Sequence, residues 1–103
     1  MLGFMYQFGY GVPKEDKEAV RWYRLAADRG NAQAQKNLGF MYEFGRGVPQ
    51  DFAQAHMWFN LAGAGGDADA AKMRDAVASK MTPDQIAEAQ RLARQWKPKA
   101  NRL

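Results

Sequence analysis

The apolar positions of residues 31–45 recur with the period of an α-helix. Four apolar side chains follow the spacing i, i+4, i+7, i+8 and fall on one side of that helix: Ala34, Leu38, Met41 and Tyr42. The Gly-Arg-Gly-Val-Pro segment that begins at Gly45 ends the helix, because glycine suits a left-handed C-terminal position and proline cannot continue a helix. We call this predicted element helix A. Gly39 lies in its interior, where glycine is unfavourable, and indicates close approach by a neighbouring helix.

A second predicted helix, helix B, follows at once. Asp51 is a good N-cap residue, and Gln54 stands three positions later as its capping-box partner. The helix runs to about Ala64, Gly66 ends it, and its buried stripe consists of Ala55, Trp58, Leu61 and Ala62. Helices A and B therefore form a helix–turn–helix hairpin.

The hairpin pattern occurs twice at a fixed offset. Residues 2–37 and 38–73 align without gaps and agree at 18 of 36 positions, among them Gly3/Gly39 and Trp22/Trp58. A fixed period of this length is typical of a stacked repeat array, in which each unit buries its apolar face only against its neighbours. The pattern predicts an all-α solenoid in one domain, residues 1–103.

The third unit departs from the repeat. Arg74 replaces the expected leucine, and the glycine-rich turn is replaced by a segment in which Thr82 caps, Pro83 takes the first helical position and Gln85 completes a capping box. A last helix over residues 83–96 carries one apolar and one polar flank, as a terminal cap requires. We predict six helices: a truncated A, then B, A, B, A and the cap. The predicted units are 1–37, a truncated first repeat; 38–73, the second repeat; 74–96, a degenerate third unit and cap; and 97–103, a frayed tail.

The shared string Leu-Gly-x-Met-Tyr-x-x-Gly-x-Gly-Val, followed by Ala-x-x-Trp-x-x-x-Ala and Gly, resembles the SEL-one-like repeat. This is a relative of the tetratricopeptide repeat, with about 36 residues a unit. The resemblance covers residues 2–73 closely, and residues 74–96 look like the closing segment of bacterial members. It implies a right-handed α-solenoid that acts as a non-catalytic protein–protein interaction module or adaptor. It implies no catalytic residue.

Charge and composition narrow the classes of partner. The chain has 103 residues, a net charge of +4 and no cysteine, so disulfides and thiolate metal sites are excluded. The basic excess lies at the C-terminal end, from Arg91 to Arg102, where it permits weak attraction to nucleic acid but is more typical of a solvated end. No apolar run reaches the length of a membrane span, and no signal peptide stands in these residues; periplasm and cytoplasm both fit.

Residues capable of catalysis are few and scattered. His56 is the only histidine and has no second metal ligand nearby in the sequence, so a surface or packing role is predicted for it. Ser79 is the only serine and has no neighbouring base, and no carboxylate pair stands in an apolar context. The alternative of an accessory hydrolase is therefore not favoured. We predict no enzyme, no cofactor, no metal and no small-molecule substrate.

A second stripe of helix A predicts the partner-binding site. At 100° per residue it lies about a third of a turn from the core stripe, and in stacked hairpins the A helices line the concave face. Its predicted partner-binding residues are Phe4, Phe8, Gln33, Asn37, Phe40, Phe44 and Met73. Four phenylalanines there suggest an exposed apolar ladder, a typical binding surface for a peptide or protein segment. The alternative is that these rings pack between neighbouring A helices.

The beginning of the chain predicts an oligomer. Helix A of the first unit is short by about two turns, so Leu2, Met5 and Tyr6 belong to an end that an upstream unit would cover. An uncovered solenoid end is closed most simply by symmetric pairing. We predict a homodimer, formed by pairing or by a swap of the first helix, joined near residues 1–12.

Overall fold

The computed structural model describes residues 15–99, and these residues form five α-helices without any strand. The helices are α1 Asp16–Asp28, α2 Ala32–Phe44, α3 Phe52–Ala64, α4 Ala68–Ala78 and α5 Pro83–Gln95. They correspond to the predicted B, A, B, A and cap elements, which confirms the all-α repeat architecture. The truncated first helix, Phe4, Phe8 and the predicted dimer contact lie outside the described residues.

Local sequence signals set the helix starts. Three polar residues accept a hydrogen bond from the backbone N–H three residues later, at 2.8 to 3.1 Å: Asn31, Asp51 and Asp67. Thr82 and Gln85 form the predicted reciprocal capping box, with Pro83 at the first helical position. Glu15, the N-cap residue of α1, makes no such bond. These caps satisfy N–H groups that helix starts leave without intrahelical partners.

The helices pack around two apolar clusters that share α3. The first cluster joins α1, α2 and α3, and its large buried members include Tyr23, Leu38, Met41 and Trp58. The second joins α3 to α4 through Ala55, Phe59 and Val77. Helix α3 packs against α2, α4 and α5, so it is the central helix of the described region. None of the described helices is long and apolar enough to cross a membrane.

The loop between α2 and α3 ties two successive units together. Gly45, predicted to be left-handed, has φ = 64°, and Gly47 has φ = 73°. The backbone of Gly47 lies directly against the start of α1, and the Arg46 guanidinium pairs with the Asp16 carboxylate at 3.2 Å. The glycine-rich turn therefore serves as an inter-unit contact as well as a helix stop.

Helix α5 packs against α3, and the residues after it are held more firmly than the predicted frayed tail. Ala89 is buried, and the Trp96 ring lies 6.3 Å from the Trp58 ring in an edge-to-face arrangement. The Lys99 N–H donates to the Asp28 carbonyl oxygen at 2.6 Å, and its ammonium lies 3.3 Å from the Asp28 carboxylate. Residues 97–99 are thus not frayed, because they form a strap to the end of α1.

Candidate functional site

The second stripe of α2 is a row of four positions over three turns. Gln33 is exposed, Asn37 and Phe40 are half-buried, and Phe44 is 50% exposed. The eleven steps along the helix from Gln33 to Phe44 extend about 16 Å. That length matches about five residues of an extended peptide. Polar side chains thus stand at the N-terminal end of the row and aromatic rings at its C-terminal end.

The two phenylalanines of this row differ in their surroundings. Phe40 packs against both apolar clusters, so most of its ring contributes to the contact between α2, α3 and α4. Its ring centroid lies 4.9 Å from that of Phe44, with the planes tilted by 52°. Phe44 is one of two large apolar side chains that are markedly exposed among residues 15–99, the other being Leu25. The two rings therefore differ: Phe40 is a packed residue, whereas Phe44 is half exposed.

The neighbouring helix α4 continues the surface. Met73, at the repeat position of Asn37, is half-buried against the second cluster. Lys80 follows α4 at the repeat position of Phe44, and its ammonium nitrogen lies 5.3 Å from the centroid of the Phe44 ring. It also lies 5.8 Å from the Phe52 ring and 3.1 Å from the Glu43 carboxylate. Phe44 and Lys80, which are equivalent positions of adjacent units, thus meet in space.

Three further residues contribute to this surface and were not among the predicted partner-binding residues: Lys80, Glu43 and Phe52. Lys80 nevertheless belongs to the predicted ladder, because the offset of 36 residues makes it the third-unit equivalent of Phe44. Glu43 carries no such signal, because a carboxylate on a helix is normally solvated. Its side chain is only 8% exposed, which the sequence does not indicate.

A concave surface away from this row lies between α3 and α5. It is an open groove of about 500 Å³, lined by Asn60, Leu61, Ala64, Gln90, Ala93 and Arg94. The groove contains no carboxylate or histidine that could serve as an acid or base. It therefore offers a surface for contact without offering an evident catalytic group.

The basic C-terminal end is partly neutralised. Arg91 pairs with the Glu88 carboxylate and donates to Gln95, and Lys99 pairs with Asp28. The Glu88 pairing raises the pKa of the exposed Arg91 guanidinium above its ordinary value. Two of the four cations in the described part of this end, Arg91 and Lys99, thus have carboxylate partners, which reduces the positive charge available to nucleic acid.

His56 lies inside the protein, against the alternative of a surface position. It is 5% exposed, and its Nδ1 atom has no hydrogen-bond partner within residues 15–99. Burial lowers the pKa of His56 from 6.5, and the nearby Arg74 charge lowers the pKa further, whereas Asp75 opposes this shift. The described residues hold no group of three or more histidine and acidic side chains that could bind a metal ion.

The lowered pKa of His56 makes stability depend on pH. Because the folded state disfavours the imidazolium, the unfolded chain binds more protons between the folded pKa and 6.5. We expect the free energy of unfolding to fall as pH is lowered from 7.5 through 6.5, and to stop falling from this cause below the folded pKa. Urea unfolding at several pH values checks this. His56→Leu should flatten the profile over that range, and an unchanged profile would contradict the assignment to His56.

Comparison with known proteins identifies the repeat. The family model described as Sel1 repeat matches residues 1–31 and 32–67. Its repeat boundary therefore lies six residues before the boundary between residues 37 and 38 that the sequence pattern predicts. The crystal structure of a protective antigen present in uropathogenic Escherichia coli strains, which displays an SLR fold, is similar over 92% of this chain with a TM-score of 0.90 and 34% identity. A Sel1 repeat protein from Oxalobacter formigenes is similar over 74% of this chain, with a TM-score of 0.72 and 37% identity. The matched regions span 21% and 22% of those two chains.

Proposed function

We propose that this chain, which belongs to the Sel1 repeat family, is a non-catalytic interaction module that binds a peptide or protein segment along the second stripe of α2. Sel1 repeats are generally protein–protein interaction modules, and the family is typically non-catalytic. The observation that carries the proposal is Phe44, a large apolar ring that is half exposed at the end of a row that begins with the polar side chains of Gln33 and Asn37. Exposed apolar surface rimmed by polar groups is typical of binding sites.

The row has the chemistry that an extended segment requires. The side-chain amides of Gln33 and Asn37 can donate to and accept from a peptide backbone, while Phe44 supplies an apolar contact. Phe40 provides a firmly packed neighbour for Phe44, because the Phe40 ring packs against both apolar clusters. Met73 extends the apolar edge onto α4. By repeat register, Phe4 and Phe8 would carry the same row into the first unit.

A matched pair of variants tests this proposal. Leu25, on α1, is 49% exposed and Phe44 is 50% exposed, so truncating either to alanine should lower the free energy of unfolding by less than about 1 kcal/mol. We expect peptides selected from a displayed random library on the native chain to bind Phe44→Ala about tenfold more weakly, as an aromatic anchor would predict. They should bind Leu25→Ala with unchanged affinity.

Fluorescence anisotropy with the selected peptides measures both affinities. Equal binding to the native chain, Leu25→Ala and Phe44→Ala would show that the peptides occupy another surface, such as the groove between α3 and α5. Gln33→Ala provides a second test, because it removes one amide and leaves the apolar contacts in place. We expect it to weaken binding less than Phe44→Ala does.

A further inference from the structure

The ammonium group of Lys80 lies between three groups that favour a cation. Two are the faces of Phe44 and Phe52, at 5.3 and 5.8 Å, within the distance at which an aromatic quadrupole attracts a positive charge. The third is the Glu43 carboxylate at 3.1 Å. These groups come from the end of α2 and the start of α3, whereas Lys80 follows α4. We call the arrangement of Glu43, Phe44 and Phe52 the cation cage.

Two of the three cage groups, Glu43 and Phe52, are held by the surrounding fold, whereas the Lys80 side chain is half exposed. The Glu43 side chain is only 8% exposed, and the Gln50 side chain donates to the Glu43 carbonyl oxygen at 2.8 Å, which holds the end of α2. Phe52 packs against the second apolar cluster. The Lys80 side chain, in contrast, is 47% exposed, so it can leave the cage for solvent without unpacking a helix. A largely buried carboxylate needs a cationic partner, since an unpaired buried charge is strongly unfavourable.

We propose that the cation cage is a recognition site for an arginine side chain of the bound segment, and that Lys80 occupies it in the absence of a partner. This inference rests on the proposed function and specifies the partner chemistry as arginine flanked by apolar residues. Arginine suits the cage better than lysine does, because its planar guanidinium stacks on aromatic faces and pairs with a carboxylate through two parallel hydrogen bonds. The Phe44 ring of the cage lies 4.9 Å from the Phe40 ring, so an apolar neighbour of the arginine would lie on the α2 row.

The local charges support a cationic occupant. Two other cations have acidic partners of their own: Arg46 pairs with Asp16, and Arg74 with Asp75. Within residues 15–99, Lys80 is the cation placed on Glu43. Removing Lys80 should therefore leave the carboxylate and two aromatic faces open to an external cation.

Nuclear magnetic resonance titration with small probes tests the cage independently of any peptide. The probes are N-acetyl-argininamide and its neutral isostere N-acetyl-citrullinamide, and the signals followed are the ring protons of Phe44 and Phe52. We expect the arginine probe to shift these signals in Lys80→Ala, with an affinity about fivefold or more above that for the native chain, where Lys80 competes intramolecularly. Lys72→Ala, which removes an exposed lysine of α4, should behave as the native chain.

Adding Glu43→Gln to Lys80→Ala should abolish the difference between the arginine and citrulline probes. Equal response to both probes in Lys80→Ala, or no response, would overturn the inference. If Lys80→Ala does not fold, the native chain decides the question at higher probe concentration: only the arginine probe should shift the Phe44 signals. The proposed function has a separate readout, because loss of selected peptides by Phe44→Ala can occur whether or not the cage prefers arginine.

Discussion

Replacing Gly47 by alanine should destabilise the protein by about 3 kcal/mol or more, because two separate penalties coincide. The residue has φ = 73°, a conformation that costs a residue with a side chain roughly 1–2 kcal/mol. A β-carbon at this position would also lie 2.5 Å from the Asp16 carbonyl oxygen and 2.7 Å from its carbonyl carbon. Both atoms belong to backbone at the start of α1, so no change of rotamer can relieve the overlap.

Gly66 provides the matched control for this effect. It has φ = 105°, and a β-carbon there would meet no heavy atom within 4 Å. Gly66→Ala should therefore show only the backbone penalty, roughly 1–2 kcal/mol. Chemical unfolding followed by circular dichroism gives both free energies. If the two substitutions proved equally destabilising, the close contact between the α2–α3 loop and α1 would not contribute, and Gly47 would matter for its backbone conformation alone.

Gly47 also illustrates which parts of the fold the sequence could predict. The turn itself follows from nearby residues, as do the caps at Asp51 and Thr82, because a cap is a bond between positions three residues apart. The contact of Gly47 with Asp16 spans 31 positions and exists only once the units are stacked. Periodicity predicts that stacking occurs, but it does not give the separation of the two backbones.

Repeat register also does not predict burial where equivalent positions have different neighbouring helices. Leu25 and Leu61 occupy equivalent positions, and the sequence gives no reason to distinguish them. Leu61 is half-buried at the edge of the groove beside Ala93 of α5, whereas Leu25 is 49% exposed. Helix α5 packs on α3, so the burial of Leu61 depends on an element that follows the repeat.

For the candidate site, the sequence predicts which positions share a helix face but not how deeply their side chains are buried. Helical spacing placed Gln33, Asn37, Phe40 and Phe44 on one stripe, and the structure retains that row. Spacing alone left the burial of its rings open, because burial depends on how closely α3 and α4 approach α2. The packing of Phe40 and the pairing of Glu43 with Lys80 are contacts between separate helices. Such contacts fall outside what a helical wheel describes.

Gly39→Ala should destabilise the protein even though alanine is the better helix former. A β-carbon on Gly39 would lie 2.7 Å from two carbons of the Phe59 ring and 3.2 Å from the Ala55 carbonyl oxygen. Phe59 is fully buried, so its ring cannot turn aside without disturbing the second cluster. Overpacking of this kind costs about 1–3 kcal/mol, against a gain of about 1 kcal/mol in helix propensity. We expect a net loss of up to about 2 kcal/mol.

Gly63→Ala is the control, because it makes the same replacement within α3 where a β-carbon would meet Ala71 at an ordinary 3.4 Å. It should leave stability unchanged or raise it by up to about 1 kcal/mol. A double-mutant cycle with Phe59→Leu then locates the strain: the smaller side chain should offset part of the loss caused by Gly39→Ala, giving a favourable coupling of about 0.5 kcal/mol or more. Thermal or urea unfolding of the four proteins measures that coupling. Strict additivity, or a Gly39→Ala protein as stable as Gly63→Ala, would mean that the close approach of α2 and α3 at Gly39 is not what excludes a side chain there.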